Sequence, residues 1–359
     1  MKAMVKYTFF LSAVMLLLLH GCSMEKEIGP HKQTAEMKLN GSIKVESKSG
    51  WINPAPSTTL PPRQISIGVA MLDYDTPDPN TEPAASEWNG VVEWKRAYFG
   101  GPGLQTGGAL ASFTPTNGEI KFTNDDGTAT NKVFYNENGF WRFLRAFHPW
   151  DGAAVVPETN GGSILMPING SHDIMCSNMV WGCAEPKTFS SPPYTYTPQY
   201  VNTVLNFSHL LTKLNIRLVA ENAVAKAQYG EIVAIEVINQ PQHVLVNIAT
   251  GALEPASLPK FRYGLVDFAT GQTLPEPAIS NPDPFLDAKE FGYVMVIPAE
   301  KYTVRIETEL RLAFYMEVIF PAVTLPGMAY NVTLQFMETE EIFIYAEEAP
   351  EWWMDSTFN

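Results

Sequence analysis

The sequence predicts an all-β protein of two antiparallel β-sandwich domains, preceded by an export leader. Three observations predict this. Short runs alternate apolar and polar residues with period 2, as in "EMKLNGSIKVE" and "QISIGVAML". Turn clusters such as "PTNG", "TNDDG" and "NENG" separate the runs. The chain also holds 28 prolines and 25 glycines, and no long stretch keeps a clean helical period, which disfavours an α/β arrangement.

The leader comes first. Lys2 and Lys6 precede an apolar block from Tyr7 to Leu19, which is too short to cross a bilayer core of ~30 Å as a helix. The block ends in Leu19-His20-Gly21-Cys22, similar to a bacterial lipobox apart from His20, and charge follows at once in "SMEKE". Residues 1–21 are expected to be a lipoprotein signal peptide. Cys22 is expected to be the lipidated first residue of a tether over residues 22–35. A core segment that happens to contain Cys22 is the alternative. Each buried methylene of an acyl chain favours the membrane by about 0.8 kcal/mol, so a multiply acylated cysteine anchors a water-soluble domain without a spanning helix.

The first strand after the tether has Met37, Leu39, Gly41, Ile43 and Val45 on one face and Lys38, Asn40, Ser42, Lys44 and Glu46 on the other. A loop rich in proline and serine, "SKSGWINPAPSTTLPPRQ", leads from it to a strand carrying Ile65, Ile67, Val69 and Met71. Further strands read at "EIKFT", "KVFYN", "FWRFLRAF" and "SILMPI". The stretch "TFSSPPYTYTPQ", residues 188–199, interrupts the series and divides an N-terminal domain over 36–190 from a C-terminal one over 191–359. Strands resume with "VLNFSHLLTKLNIRLV" and continue to "AYNVTLQF" and "EIFIYA".

A net charge of -14 argues against a nucleic-acid partner, and loss of two lysines with residues 1–21 makes the chain more acidic still. No H-E-x-x-H, P-loop, G-x-S-x-G or repeated C-x-x-C occurs, so no catalytic function, cofactor or metal is expected. "FGGPGLQTGG" continues as polar loop where a phosphate cradle would need a helix. Asp125 and Asp126 lack the remaining ligands of a calcium loop. Ser171, His172 and Asp173 are consecutive, and strand neighbours point to opposite faces, so no directly bonded triad is expected. With Cys22 acylated, Cys176 and Cys183 remain; export permits a disulfide between them, and two buried thiols are the alternative.

The segment "VNTVLNFSHLLTKLNIRL" resembles the start of the C-terminal domain in the fimbrillin family, lipoprotein-derived subunits of type V pili in Gram-negative bacteria. Leu205, Phe207, His209, Leu211, Lys213, Leu214 and Ile216 carry the likeness. "FWRFLRAFHPW", "MPINGSHDIM", "LPGMAYNVTLQF" and "IFIYAEEAPEWW" agree with the family in order. His209 shares a face with Leu205, Phe207 and Leu211, so a buried, hydrogen-bonded ring is expected.

The resemblance implies two transthyretin-like sandwiches, no catalysis, and a place on the outer membrane and cell surface. It also implies that subunits join by strand exchange once a protease removes the lipidated N-terminal strand. Arg63, the first arginine, stands where an Arg-specific protease cuts some family members. The stretch from Glu341 to Asn359 is the candidate donor. Expected partners are other pilus subunits, the outer membrane through Cys22, and a surface glycan or protein. A glycan-binding surface lipoprotein is the alternative function, with Trp51, Trp88, Trp94, Trp352 and Trp353 as stacking candidates.

Overall fold

The alternating runs fold as strands because each can bury one face while its backbone pairs with neighbours. A computed structural model of the chain describes residues 37, 39–43, 65–76, 80–89, 93–99, 118–123, 132–135, 140–150, 157–158, 162–183, 204–257, 260–277 and 284–349. The chain divides into a unit of residues 1–35 and one of residues 36–359, and every described residue belongs to the second.

In chain order the first strands are β1 (Leu39–Ile43), β2 (Ile65–Tyr74), β3 (Glu93–Phe99), β4 (Gly118–Phe122), β5 (Trp141–His148), β6 (Pro157–Glu158) and β7 (Ser163–Pro167). Then come β8 (Met175–Ser177), β9 (Val180–Gly182), β10 (Val204–His209), β11 (Thr212–Ala220), helix α1 (Ala223–Tyr229), β12 (Glu231–Gln240), β13 (His243–Asn247) and β14 (Leu253–Pro255). The last are β15 (Phe261–Gly264), β16 (Gln272–Thr273), β17 (Lys289–Val296), β18 (Lys301–Thr308), β19 (Phe314–Ile319), β20 (Ala329–Phe336) and β21 (Ile342–Glu348).

The N-terminal strands close on themselves. Their order is β2-β3-β4-β1-β10-β8-β5, and β5 pairs back onto β2, so the hydrogen-bonded path is a ring without a free edge along it. Ile67, Val69, Met71, Leu144 and Ala146 are buried on one face of the β2–β5 pair. The other face carries Ala70, Leu72, Phe143 and Phe147, which belong to a core that continues into the C-terminal half. β5 is therefore buried along its whole length.

The C-terminal half has a sheet β17-β11-β20-β21 and a sheet β15-β12-β18-β19, with β16 beside β12. Leu214, Ile216, Val332 and Leu334 of the first and Ile235, Val237, Val304 and Ile306 of the second are buried in one core. A further sheet, β14-β13-β7-β6, pairs β7 of the first half with β13 of the second.

Two pairings correct the expectation of a purely antiparallel protein. β1 runs parallel to β10, and β11 runs parallel to β20. Each pair joins strands far apart in sequence, and such long connections permit a parallel approach that a short hairpin forbids.

Candidate assembly site: the first strand in its slot

β1 lies between β4, to which it is antiparallel, and β10, to which it is parallel. Met37, Leu39 and Gly41 are buried while Asn40 is exposed, as period-2 alternation requires of a strand with one face on a core. On the β4 side Leu39 faces Ile120 and Gly41 faces Gly118; on the β10 side Gly41 faces Leu205. The amide of Met37 donates to the carbonyl of Val133 at 2.8 Å and ties down the entry to the strand. Burying Met37 and Leu39 contributes about 1.5–3 kcal/mol each. Without β1 the ring has two open edges, at β4 and β10.

The far wall of the slot is β10, whose buried residues are Leu205, Phe207 and His209. His209 Nδ1 bonds Asp173 Oδ2, and both side chains are buried. His148, on β5, is buried as well, with Nδ1 2.9 Å from the carbonyl of Ser66. Burial lowers the pKa of His148 below its ordinary 6.5, against the opposing pull of the Ser66 carbonyl and Asp173.

β8 and β9 run in one direction along β5, interrupted at Asn178 and Met179. The Ser177 hydroxyl bridges the gap: it accepts from the Ala146 amide at 2.9 Å and donates to the Asn178 carbonyl at 2.7 Å. Of the two readings of Cys176 and Cys183, a bridge or two buried thiols, this geometry fits the second. Cys176 faces Phe147, and Gly182, just before Cys183, faces Arg142. The intervening length of β5, at roughly 3.4 Å per residue, sets Cys176 about 17 Å from Gly182, the residue next to Cys183. A disulfide needs Cα atoms within about 7 Å, so the two side chains are buried thiols. Burial pushes the Cys176 thiol up to about 12.

The serine, histidine and aspartate at 171–173 occupy a turn, where strand alternation does not apply. Ser171 Oγ contacts His172 Nδ1, whereas Asp173 turns inward to His209, so the three share no chain of hydrogen bonds. Among the described residues no group of three or more His, Cys, Asp or Glu is placed to hold a metal. Trp88 is buried, and Trp94 is half-buried and stacked on Trp150 at 5.7 Å between centroids. Cys22, Arg63, Asp125, Asp126, Trp51, Trp352, Trp353 and the stretch 188–199 lie outside the described residues.

Pattern reading missed the buried Arg142, which forms a two-point pair with Asp73 through Nε at 2.6 Å and Nη2 at 2.7 Å. Only the strand register, with Asp73 opposite Arg142, brings the two together.

No family model matches the chain, and no curated protein does. Solved structures do. A candidate cell adhesion protein from Bacteroides uniformis is 15% identical, with 90% of this chain and 99% of that one covered and a TM-score of 0.50. One from Bacteroides ovatus is 15% identical, over 89% and 99% of the two chains, at a TM-score of 0.47. The tip fimbrial protein Mfa3 of Porphyromonas gingivalis, with a C-terminal truncation, is 10% identical, over 88% and 99%, at a TM-score of 0.40. The chain thus shares the fold of the cell adhesion candidate from Bacteroides uniformis, and fimbrial proteins are among the solved structures to which it is similar.

Proposed function

We propose that the protein is a non-catalytic subunit or accessory of a cell-surface pilus, exported as a lipoprotein through Cys22 and joined to other subunits by strand exchange. The observation that carries this reading is the place of β1. A strand near the chain's N-terminus fills a slot between β4 and β10, with backbone pairing on both sides. A strand so held can be replaced by another strand that offers the same backbone pairing and apolar face. In this reading residues 1–21 are the signal peptide, 22–35 the tether, and 36–190 and 191–359 two transthyretin-like domains. Cutting after Arg63 makes β1 a noncovalent occupant, and the stretch from Glu341 to Asn359 of another subunit takes its place.

The test is the N-terminus of material sheared from cells. A stalk role requires a new N-terminus near Gln64 and ladder-like oligomers, both lost in Arg63→Ala. A subunit that resists cutting there and stays monomeric is a tip or basal anchor. Cys22→Ser must leave an unprocessed precursor or release the protein; a variant that stays membrane-bound with the mature N-terminus refutes the anchor. Binding to an oligosaccharide array without filament incorporation would favour a glycan-binding lipoprotein.

A further inference from the structure

The wall behind β1 contains a buried polar cluster, His148, Asp173 and His209. His209 on β10 and His148 on β5 both pair with Met175, on the short strand β8 between them. Asp173, at the entry to that strand, bonds His209 through Oδ2, while its Oδ1 is buried without a hydrogen-bond partner. The His148 ring is buried on the same seam, and its Nδ1 meets the backbone carbonyl of Ser66 on β2, while the charge of Asp173 opposes the effect of burial on its pKa. One carboxylate therefore stands with two buried imidazoles, His209 and His148, at the junction of β5, β8 and β10.

We propose that His148, Asp173 and His209 form a proton-sensitive latch that holds β10 to β8 and β5, so that proton uptake by His148 loosens the wall against which β1 lies.

The chemistry follows from the hydrogen bonds. A carbonyl oxygen only accepts, so Nδ1 of His148 carries the hydrogen that it donates to Ser66, and Nε2 is the bare nitrogen that takes a proton. The resulting cation is buried on the β5–β8–β10 seam, across Met175 from His209. Asp173 can offset one positive ring, and its Oδ2 is already engaged by His209. A proton on His148 therefore places a buried cation beside a carbonyl and a donor-bonded ring with no carboxylate hydrogen-bonded to it, which favours an open arrangement where water reaches the ring. The seam is also short, since β8 meets β5 through Phe147–Cys176 and His148–Met175. The backbone bond from Leu210 to Ile174, at 2.8 Å, extends the β10 side.

The sign is set by the direction of the shift. The closed form holds the His148 proton less tightly than the open form does, so the closed wall is favoured above the ordinary histidine value of 6.5 and loses that support as pH falls through the lower, closed-state value. The consequence for strand exchange rests on the function proposed above. The latch itself is tested on the single subunit, so either idea can fail alone.

The experiment is hydrogen exchange on the full chain in detergent between pH 7.5 and 5, corrected for intrinsic exchange rates. The opening equilibrium at residues 39–43 and 204–209 should rise by up to about tenfold per pH unit in acid, the slope of one linked proton, while β12 and β18 stay constant. His148→Asn keeps an N–H for the Ser66 carbonyl and removes the titrating nitrogen, so its exchange should lose the pH dependence. A flat wild-type profile overturns the latch, as does the same acid response in His148→Asn. Should that variant not fold, ring-carbon NMR of the wild-type histidines decides: the His148 midpoint must coincide with the exchange midpoint, and a mismatch overturns the proposal.

Discussion

Gly68 lacks a side chain at a point where the Trp150 ring fills the space. A Cβ there would fall 2.1 Å from Trp150 Cε3, and Trp150 in turn stacks on Trp94. Gly68→Ala must push the indole aside, and overpacking of this kind costs about 1–3 kcal/mol. Urea unfolding should show the loss together with altered tryptophan emission; an unchanged midpoint and spectrum would mean that the ring is not wedged.

Lys213 on β11 is a second buried group under tension. Its Nζ stands 4.3 Å from the centre of the Tyr293 ring. Burial lowers its pKa from 10.5 to about 8, despite the opposing charges of Glu290 and Asp267. Between these values the unfolded chain binds the proton that the folded chain has lost, so stability rises with pH across the window and is lost as pH falls through about 8. The whole difference is worth up to roughly 3 kcal/mol. Between pH 8.0 and about 9.5 the unfolded chain also releases the thiol proton that the buried Cys176 keeps, so the denaturant midpoint should fall in Lys213→Met while the Lys213 contribution offsets that fall in the wild type. Parallel curves for the two proteins would remove Lys213 as the cause.

At the scale of elements, what was legible in the sequence was what depends on near neighbours. The faces of β1 and β10 follow from period 2, and so does the inward side of His209. Its acceptor Asp173 was not legible, because the two meet through the β8–β10 register and not through spacing. The parallel run of β1 along β10 and the burial of both faces of β5 likewise depend on strands far away in the chain. The separation of Cys176 from Cys183 was hidden too, since a short span in sequence can fold as a hairpin or lie extended, and β5 holds this one extended.

The register of β1 makes a paired prediction. Leu39 is 1% exposed and faces the ring core, whereas Asn40 is exposed. Leu39→Asp removes apolar burial and places a charge inside, at a cost of about 3–5 kcal/mol, which should detach the strand. Asn40→Asp should stay within about 0.5 kcal/mol of the wild type. Protease sensitivity of residues 36–46 and thermal unfolding report both. Similar losses in the two variants would mean that β1 does not sit in this register.

At the scale of the whole molecule, the two halves share load through three connections. β7 pairs with β13 across the proposed domain boundary. β10 belongs to the N-terminal ring, yet Leu210 and Leu211 alone separate it from β11, a central strand of the C-terminal sheet. The outer face of β5, with Phe143 and Phe147, lies in the same core as Ile164, Met166, Val244 and Val246. Domains that move independently are joined by linkers that few contacts cross, and these connections are the opposite. Residues 36–359 should therefore unfold together. In urea, exchange-detected unfolding of β3 and β4 should have the same midpoint as that of β18 and β19. Phe143→Ala, which empties a position 0% exposed, should lower both midpoints equally, by an amount equivalent to about 3–5 kcal/mol. A variant in which β3 and β4 melt early while β18 and β19 keep the wild-type midpoint would show that the halves are separable.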